Sequence, residues 1–310
     1  MKIVFMGTPG FAVPCLKQVL EDGYEVAGVF TQPDKPQGRK MILTPPPVKQ
    51  AAVEAGLPVY QPAKMRDGEA LRILTQLAPD LIVVVAYGKI LPKEILELPR
   101  LGCINVHGSL LPKFRGAGPI QWSVICGEAV TGVTTMFMAE GLDTGDMILK
   151  KEVAIGENET AGELYERMSV LGARCLSETL TLFASGRQVP REKQDDALSS
   201  YAPMLDKQLA LLDYQKSALE LHNLIRGLNP WPIALTYLDG KRLKVYSARP
   251  AKGFCGQAGA LLDDKRMIIG CKDGAIEFLT VQPEGGKVMD AAQFMRGKRL
   301  EIGQKFTAHS

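Results

Sequence analysis

Asn105 and His107 stand two residues apart at the end of an apolar run, Cys103–His107, that reads as a β-strand. A period of two puts both side chains on one face of the pleat. The run stops at Gly108-Ser109, and in an open α/β sheet ligands collect outside the carboxyl ends of the strands. A neutral imidazole placed there can take a proton from an attacking amine, and a carboxamide can donate to a developing oxyanion. Those are the two needs of acyl transfer to nitrogen. The chain has three histidines, and on spacing alone a structural role for His107 stays open. A carboxylate in the turn-rich segment Gly141-Leu-Asp143-Thr-Gly-Asp146 could fix the imidazole's tautomer and support its charged form. Spacing does not choose between Asp143 and Asp146.

The elements that must position these residues alternate along the first half of the chain. Lys2–Met6, Val26–Thr31, Leu81–Ala86 and Cys103–His107 read as strands, and Phe11–Glu21, Pro45–Ala55, Glu69–Leu77 and Pro119–Cys126 as helices. Val133–Met138 and Asp146–Ala154 read as closing strands, followed by a long helix over Ala161–Ala184. Strands apolar on both faces, separated by amphipathic helices, imply a doubly wound, Rossmann-like α/β domain with a mostly parallel sheet. The turn Gly7-Thr8-Pro9-Gly10 lacks the glycine spacing of a dinucleotide fingerprint and reads equally well as a tight strand-to-helix turn. Around residues 190–206 the pattern dissolves into a polar, turn-rich connection, which divides the chain into domains at 1–189 and 207–310. Ser217–Arg226 reads as a helix. Beyond it, short strand-like runs with Asp-Gly turns (Ala234–Leu238, Leu243–Ala248, Gly259–Leu262, Met267–Gly270, Ala275–Thr280) imply a small OB-like β-barrel.

Composition narrows the class. The chain has 310 residues, 46% of them apolar and 23% charged, which excludes disorder and suits two globular domains. No run has the roughly 18 apolar residues of a membrane span, and no secretory leader is recognisable. Six cysteines without a CxxC pair read as reduced thiols, which implies neither a disulfide framework nor a zinc site and points to the cytoplasm. Residues 1–206 hold 21 basic and 24 acidic side chains, and residues 207–310 hold 16 and 10, so the positive charge gathers in the C-terminal third. That asymmetry fits a polyanionic partner and also an ordinary solvated surface.

Asn105-Val-His107-Gly-Ser-Leu-Leu-Pro112, Phe114-Arg-Gly-Ala-Gly-Pro-Ile-Gln121 and Gly141–Asp146 together resemble the signature of folate-dependent formyltransferases. Val29–Arg39 and Asn229-Pro-Trp-Pro232 are similar to the branch whose acceptor is charged initiator tRNA, and the resemblance runs through essentially the whole chain. It implies transfer of the formyl group of 10-formyltetrahydrofolate to the α-amino group of methionyl-tRNA, as part of translation initiation, without a metal, a membrane or an obligate protein partner. It implies Asn105, His107 and Asp143 as the catalytic trio. Folate contacts are implied at Ser109, Leu110, Leu111 and Pro112, with the pterin pocket at Val84, Val85, Ala86, Tyr87 and Gly88. The segment Thr31–Pro46 matches a loop that meets the acceptor stem, with Arg39 as its main basic residue beside Lys35 and Lys40. Lys241, Arg242 and Lys244, on an expected hairpin of the barrel, are candidate phosphate contacts. Two rival readings share parts of this pattern: a formyltransferase for a small amine such as an amino sugar, and an idle RNA-binding protein on the same fold.

Overall fold

The structure, a computed structural model, describes residues 1–38 and 41–309. By contacts the chain forms two compact units that do not follow chain order. The first comprises Met1–Gly116, Thr131–Val153 and Tyr165–Ala202; the second comprises Ala117–Val130, Ala154–Leu164 and Pro203–Ser310.

In chain order the elements are β1 (Lys2–Gly7), α1 (Val13–Glu21), β2 (Glu25–Phe30), β3 (Lys35–Gln37), β4 (Ile42–Thr44), α2 (Pro47–Glu54), β5 (Val59–Tyr60), α3 (Glu69–Leu77), β6 (Leu81–Val85), α4 (Lys93–Leu96) and β7 (Cys103–His107). Then come β8 (Arg115–Gly116), α5 (Pro119–Ile125), β9 (Val130–Phe137), β10 (Met147–Ala154), α6 (Ala161–Ala184) and β11 (Tyr201–Ala202). The main sheet of the first unit has the order β10-β9-β7-β6-β1-β2-β5, parallel through β5, β2, β1, β6 and β7. β9 runs antiparallel to β7. All five residues of β6 are buried, as a strand covered on both faces requires. After β1 the chain moves outward to β2 and β5, and it returns to the other side of β1 for β6 and β7. The order therefore reverses between β1 and β6, and crevices at such points are where α/β folds hold ligands.

Two local features differ from the sequence reading. The stretch Phe11–Glu21 divides into a 3-10 turn, Gly10–Ala12, and then α1, which has Pro14 in its first turn, where a missing N–H costs nothing. The segment Thr31–Pro46, expected as an open loop, contains a hairpin in which Lys35 pairs with Thr44, Pro36 with Leu43 and Gln37 with Ile42. Met41, Ile42 and Leu43 at its turn side are exposed.

The second unit begins with α5 and adds α7 (Ala218–Gly227), β12 (Ala234–Leu238), β13 (Lys241–Pro250), β14 (Ile268–Cys271), β15 (Gly274–Pro283), β16 (Met289–Asp290), α8 (Ala291–Lys298) and β17 (Phe306–Thr307). Ser217 and Glu220 close a reciprocal capping box at the start of α7, satisfying two backbone donors. The His222 ring nitrogens lie 2.9 Å from the Ala248 carbonyl and 3.0 Å from that of Glu157, so this buried histidine ties α7 to β13 and to the segment 154–164. The antiparallel sheet has the order β14-β15-β13-β12-β17. The run Gly259–Leu262, expected as a strand, makes only isolated bridges, Ala260 to Lys305 beside β17 and Leu261 to Ile269 of β14. Those two bridges join the sheet's two edges, which nearly closes the barrel and protects edges that would otherwise be open. Among the described residues, no helix is long and apolar enough to cross a membrane.

Candidate active site

β7 is held between β6, where Asn105 pairs with Val84, and β9, where His107 pairs with Thr134. Asn105 is half-buried while its neighbours on the strand are buried, and His107 is 5% exposed. Past the strand the chain turns through Ser109–Lys113 over β9. The Thr134 hydroxyl donates to the Ser109 carbonyl (2.7 Å) and accepts from the Leu111 N–H (3.1 Å). The Ser109 hydroxyl donates to the Lys113 carbonyl at 2.6 Å, and the Leu111–Pro112 peptide is cis. Leu111 packs inward against Met136 and Met147.

The turn ends at Phe114, whose φ of +59° is a sparsely populated conformation for a bulky residue. Its carbonyl lies 2.9 Å from His107 Nε2. A carbonyl oxygen can only accept, so Nε2 carries the hydrogen in this contact and the lone pair of the neutral ring is on Nδ1. Nδ1 in turn faces Asp143 Oδ2 at 3.7 Å, too long for a hydrogen bond and close enough for a strong charge interaction. The sequence reading gave Asp143 the task of fixing the tautomer, and in the structure the Phe114 carbonyl fills that role. Asp143 Oδ2 accepts from the Gly116 N–H at 2.9 Å, which anchors the carboxylate beside the ring.

Asp143 itself has a φ of +52°. Its carbonyl and that of Gly145 both accept from Gln194 Nε2 at 2.8 Å, while Gln194 Oε1 accepts from Arg115 Nε at 2.9 Å. Ser200 braces the same turn by accepting from the Phe114 N–H at its hydroxyl and from the Arg115 N–H at its carbonyl, each at 2.8 Å. Phe114, Gln194 and Ser200 were not found from the sequence. Asp146, the other candidate carboxylate, points elsewhere and meets Arg191 at 3.6 Å.

The expected pterin segment lies at the end of β6, beside the reversal of strand order. Val84 and Val85 are buried strand residues, whereas Ala86 and Gly88 are exposed, with φ of +47° and +76°. The Tyr87 side chain turns into the core against Met65, Leu91 and Ile95, its hydroxyl 3.3 Å from Met65 Sδ, and burial pushes its pKa up. Ser109 is fully buried with its hydroxyl already engaged, and Leu110 is half-buried. Two cavities of this unit, of about 420 and 630 Å³, are lined by other residues, Met65, Lys93 and Glu140 in one and Arg100, Phe137 and Arg191 in the other. Among the described residues no cluster of His, Cys, Asp and Glu could hold a metal ion.

Of the basic candidates, Arg39 and Lys40 lie outside the described residues. Lys35 is exposed on β3 and its Nζ donates to Gln32 Oε1 at 3.0 Å. Lys241, Arg242 and Lys244 are exposed on β13, with Leu243 and Val245 buried between and beyond them. Arg242 pairs with Glu284 across the sheet, and that bond raises the guanidinium's pKa. Among the described residues, Lys241 and Lys244 form no ion pair within 4 Å.

The chain matches the formyl transferase family over residues 1–180 and the formyl transferase C-terminal domain over residues 204–299. It belongs to the formyl transferase family. This formyl transferase is 50% identical to the methionyl-tRNA formyltransferase of Clostridioides difficile, over 98% of this chain and 99% of that one. It is 49% identical to the protein of that name from Geobacter sulfurreducens, over 98% and 96%. Among solved structures it resembles an N-formyltransferase from Helicobacter canadensis in complex with folinic acid and dTDP-3-aminofucose. There the TM-score is 0.70 at 20% identity, over 90% of this chain and 98% of that one. HypX from Aquifex aeolicus in complex with tetrahydrofolic acid aligns with a TM-score of 0.63 at 17% identity, over 95% of this chain and 47% of that one. At those identities the structural likeness speaks to fold alone: a Rossmann-like unit followed by an antiparallel, nearly closed barrel.

Proposed function

We propose that this formyl transferase moves the formyl group of 10-formyltetrahydrofolate onto the α-amino group of methionine carried by initiator tRNA. The observation that carries the chemistry is the imidazole of His107, tethered at Nε2 to the Phe114 carbonyl with Nδ1 turned to Asp143. The near full-length identity to methionyl-tRNA formyltransferases carries the choice of acceptor. What supports a folate site at the end of β6 is the reversal of strand order beside it, with Ala86 and Gly88 exposed there. Val84–Gly88 and Ser109–Pro112 are the segments that would hold it, and Tyr87 takes part through its main chain because its ring is in the core. The folate supplies a formyl group on a nitrogen that can leave.

The chain supplies the rest. An α-amino group titrates near pH 8, so a neutral fraction exists at neutral pH. As its nitrogen bonds to the formyl carbon, negative charge develops on the formyl oxygen, and the Asn105 amide donates to it. His107 Nδ1 takes the proton the amine must lose and returns it to the departing nitrogen as the old carbon–nitrogen bond breaks. While Nδ1 holds that proton, its charge stands 3.7 Å from Asp143 Oδ2. Lys35 on β3, together with Arg39 and Lys40 of the Thr31–Pro46 sequence segment, and Lys241, Arg242 and Lys244 on β13 contact phosphates of the tRNA. The reacting groups lie within residues 1–189, the connection 190–206 adds the braces Gln194 and Ser200, and residues 207–310 are the tRNA-binding part. The test is a formylation assay with charged initiator tRNA, free methionine and a nucleotide-linked amino sugar offered separately. Rapid formylation of the charged tRNA alone is expected. Faster formylation of the amino sugar would overturn the reading in favour of a small acceptor.

A further inference from the structure

Between the pterin segment and the hairpin lies one residue given no role so far. Gln32 follows β2, three residues before the hairpin begins, and its side chain reaches back across the crevice. Its Nε2 donates to the Tyr87 carbonyl at 3.1 Å and to the Gly88 carbonyl at 3.2 Å. Its Oε1 accepts from Lys35 Nζ at 3.0 Å. The amide thus spends both kinds of group on two different elements, the turn after β6 and the first residue of β3. The fit is close, since a Cβ on Gly88 would stand 2.4 Å from Gln32 Nε2. Thr8 adds a second tie to the same turn by donating to the Tyr87 carbonyl at 3.0 Å.

The main chain around Gln32 is braced from the far side. Gln61 Nε2 donates to the Gln32 carbonyl and to Asp34 Oδ1, each at 2.8 Å. Lys49 Nζ donates to both Asp34 oxygens and to Gln61 Oε1, at 2.8–2.9 Å. With its backbone held on one side, Gln32 can relay a shift of the Tyr87–Gly88 turn to Lys35 through a single planar amide. Packed side chains and hydrogen-bond chains can carry coupling between two sites, and this amide bonds both to the Tyr87–Gly88 turn and to Lys35.

We infer that Gln32 is a positioning residue that couples the folate turn to the acceptor hairpin, so that folate and methionyl-tRNA bind cooperatively. The inference rests on the proposed function, and its test is built to separate the two. Tetrahydrofolate, which carries no formyl group and cannot turn over, is titrated into the protein with and without saturating methionyl-tRNA, and the reverse titration is run as well. In the unmodified protein each ligand tightens the other by the same factor, at least about fivefold. In Gln32→Glu, which keeps the shape and the acceptor for Lys35 but has no hydrogen to give the two carbonyls, the factor falls to within about twofold of one. Each ligand alone binds that variant within about threefold of the original affinity, a pattern a merely structural residue would not give. Gln32→Ala removes both ties and gives the same loss of coupling; if it folds poorly, Gln32→Glu still decides. Coupling that survives in Gln32→Glu, or that is absent from the unmodified protein, overturns the inference and leaves the function standing. Failure of the unmodified protein to bind tetrahydrofolate at all overturns both.

Discussion

Replacing Asp143 by Asn isolates the charge facing His107. The amide oxygen can still accept from the Gly116 N–H, now at 2.9 Å, so the turn keeps its anchor and the protein its stability. What disappears is a negative charge 3.7 Å from Nδ1 during the interval when that nitrogen holds the amine's proton. Coulomb's law at this separation gives about 1 kcal/mol with the dielectric of water and about 4.5 kcal/mol at an effective value of 20. At about 1.4 kcal/mol per decade, the bracket runs from roughly 7-fold to roughly 2000-fold in rate. The His107 and Asp143 side chains are 5% and 13% exposed, so the upper half of that bracket applies, a loss of about 10²–10³. Single-turnover formylation of methionyl-tRNA at saturating folate is the measurement, with Tm and both binding constants as controls. Asp146→Asn, which disturbs only a pair with Arg191, serves as the neighbouring carboxylate and should stay within about twofold of the original rate. A rate for Asp143→Asn within threefold of the original, or a larger loss from Asp146→Asn, would refute the electrostatic argument.

Asn105→Ala should lower the single-turnover rate by about 10²–10³ with tetrahydrofolate binding retained, as expected for a lost oxyanion donor; near-normal turnover by the folded variant would remove Asn105 from the mechanism. Lys244→Ala should reduce the slope of log affinity for tRNA against log salt by about 0.7–0.9. Arg242→Ala, whose guanidinium is shared with Glu284, should change it less, and equal slopes for the variant and the parent would show that β13 faces away from the RNA. In the C-terminal sheet, the Arg266 and Arg249 guanidiniums hold the nearly buried Glu277 carboxyl down at about 2. A depressed carboxyl stabilises the fold above its unfolded value of roughly 4.3, and that contribution is lost as pH falls toward the folded value. The shift corresponds to at most about 3 kcal/mol, and to roughly 1–2 once the half-exposed arginines are allowed their solvent screening. Glu277→Gln should therefore flatten the expected decline of stability between pH 4.5 and 2, measured by denaturant unfolding at each pH; an unchanged decline would assign it to other carboxyls.

What could be read in advance depended on whether a feature writes itself into side chains. Five consecutive apolar residues at Leu81–Val85 announce a strand buried on both faces, and the two-residue spacing of Asn105 and His107 announces a shared face. The partner that fixes the His107 tautomer is a main-chain carbonyl, which leaves no mark on residue type, and Phe114 gives no warning of its positive φ. Gln194 holds the Asp143 loop from 51 residues away, inside a polar stretch with the composition of a connection. The hairpin at Lys35–Thr44 was hidden by Pro36, a residue that argues against a strand except at an edge. The end of the strand before Tyr87 was legible by position, whereas the inward turn of the Tyr87 ring needs the packing of Met65, Leu91 and Ile95 to be known. The run Gly259–Leu262 was legible as extended chain of a barrel, but not that it makes two isolated bridges, at Ala260 and Leu261, instead of a continuous strand.

The division of the chain into interleaved units has a consequence for its synthesis. Trp122 and Ile125 of α5 pack against the core to which α7 contributes Leu221, Leu224 and Ile225, and a Cβ on Gly227 would run into Ile125. The Trp122 indole donates to the Pro203 carbonyl at 2.8 Å. The ribosome delivers α5 about a hundred residues before α7, and at roughly 5–20 residues per second that interval lasts on the order of 5–20 s. Throughout it, Trp122 and Ile125 lack the α7 side chains they pack against in the finished unit. The elements that follow α7 then close the barrel of the same unit through the bridges at Ala260 and Leu261.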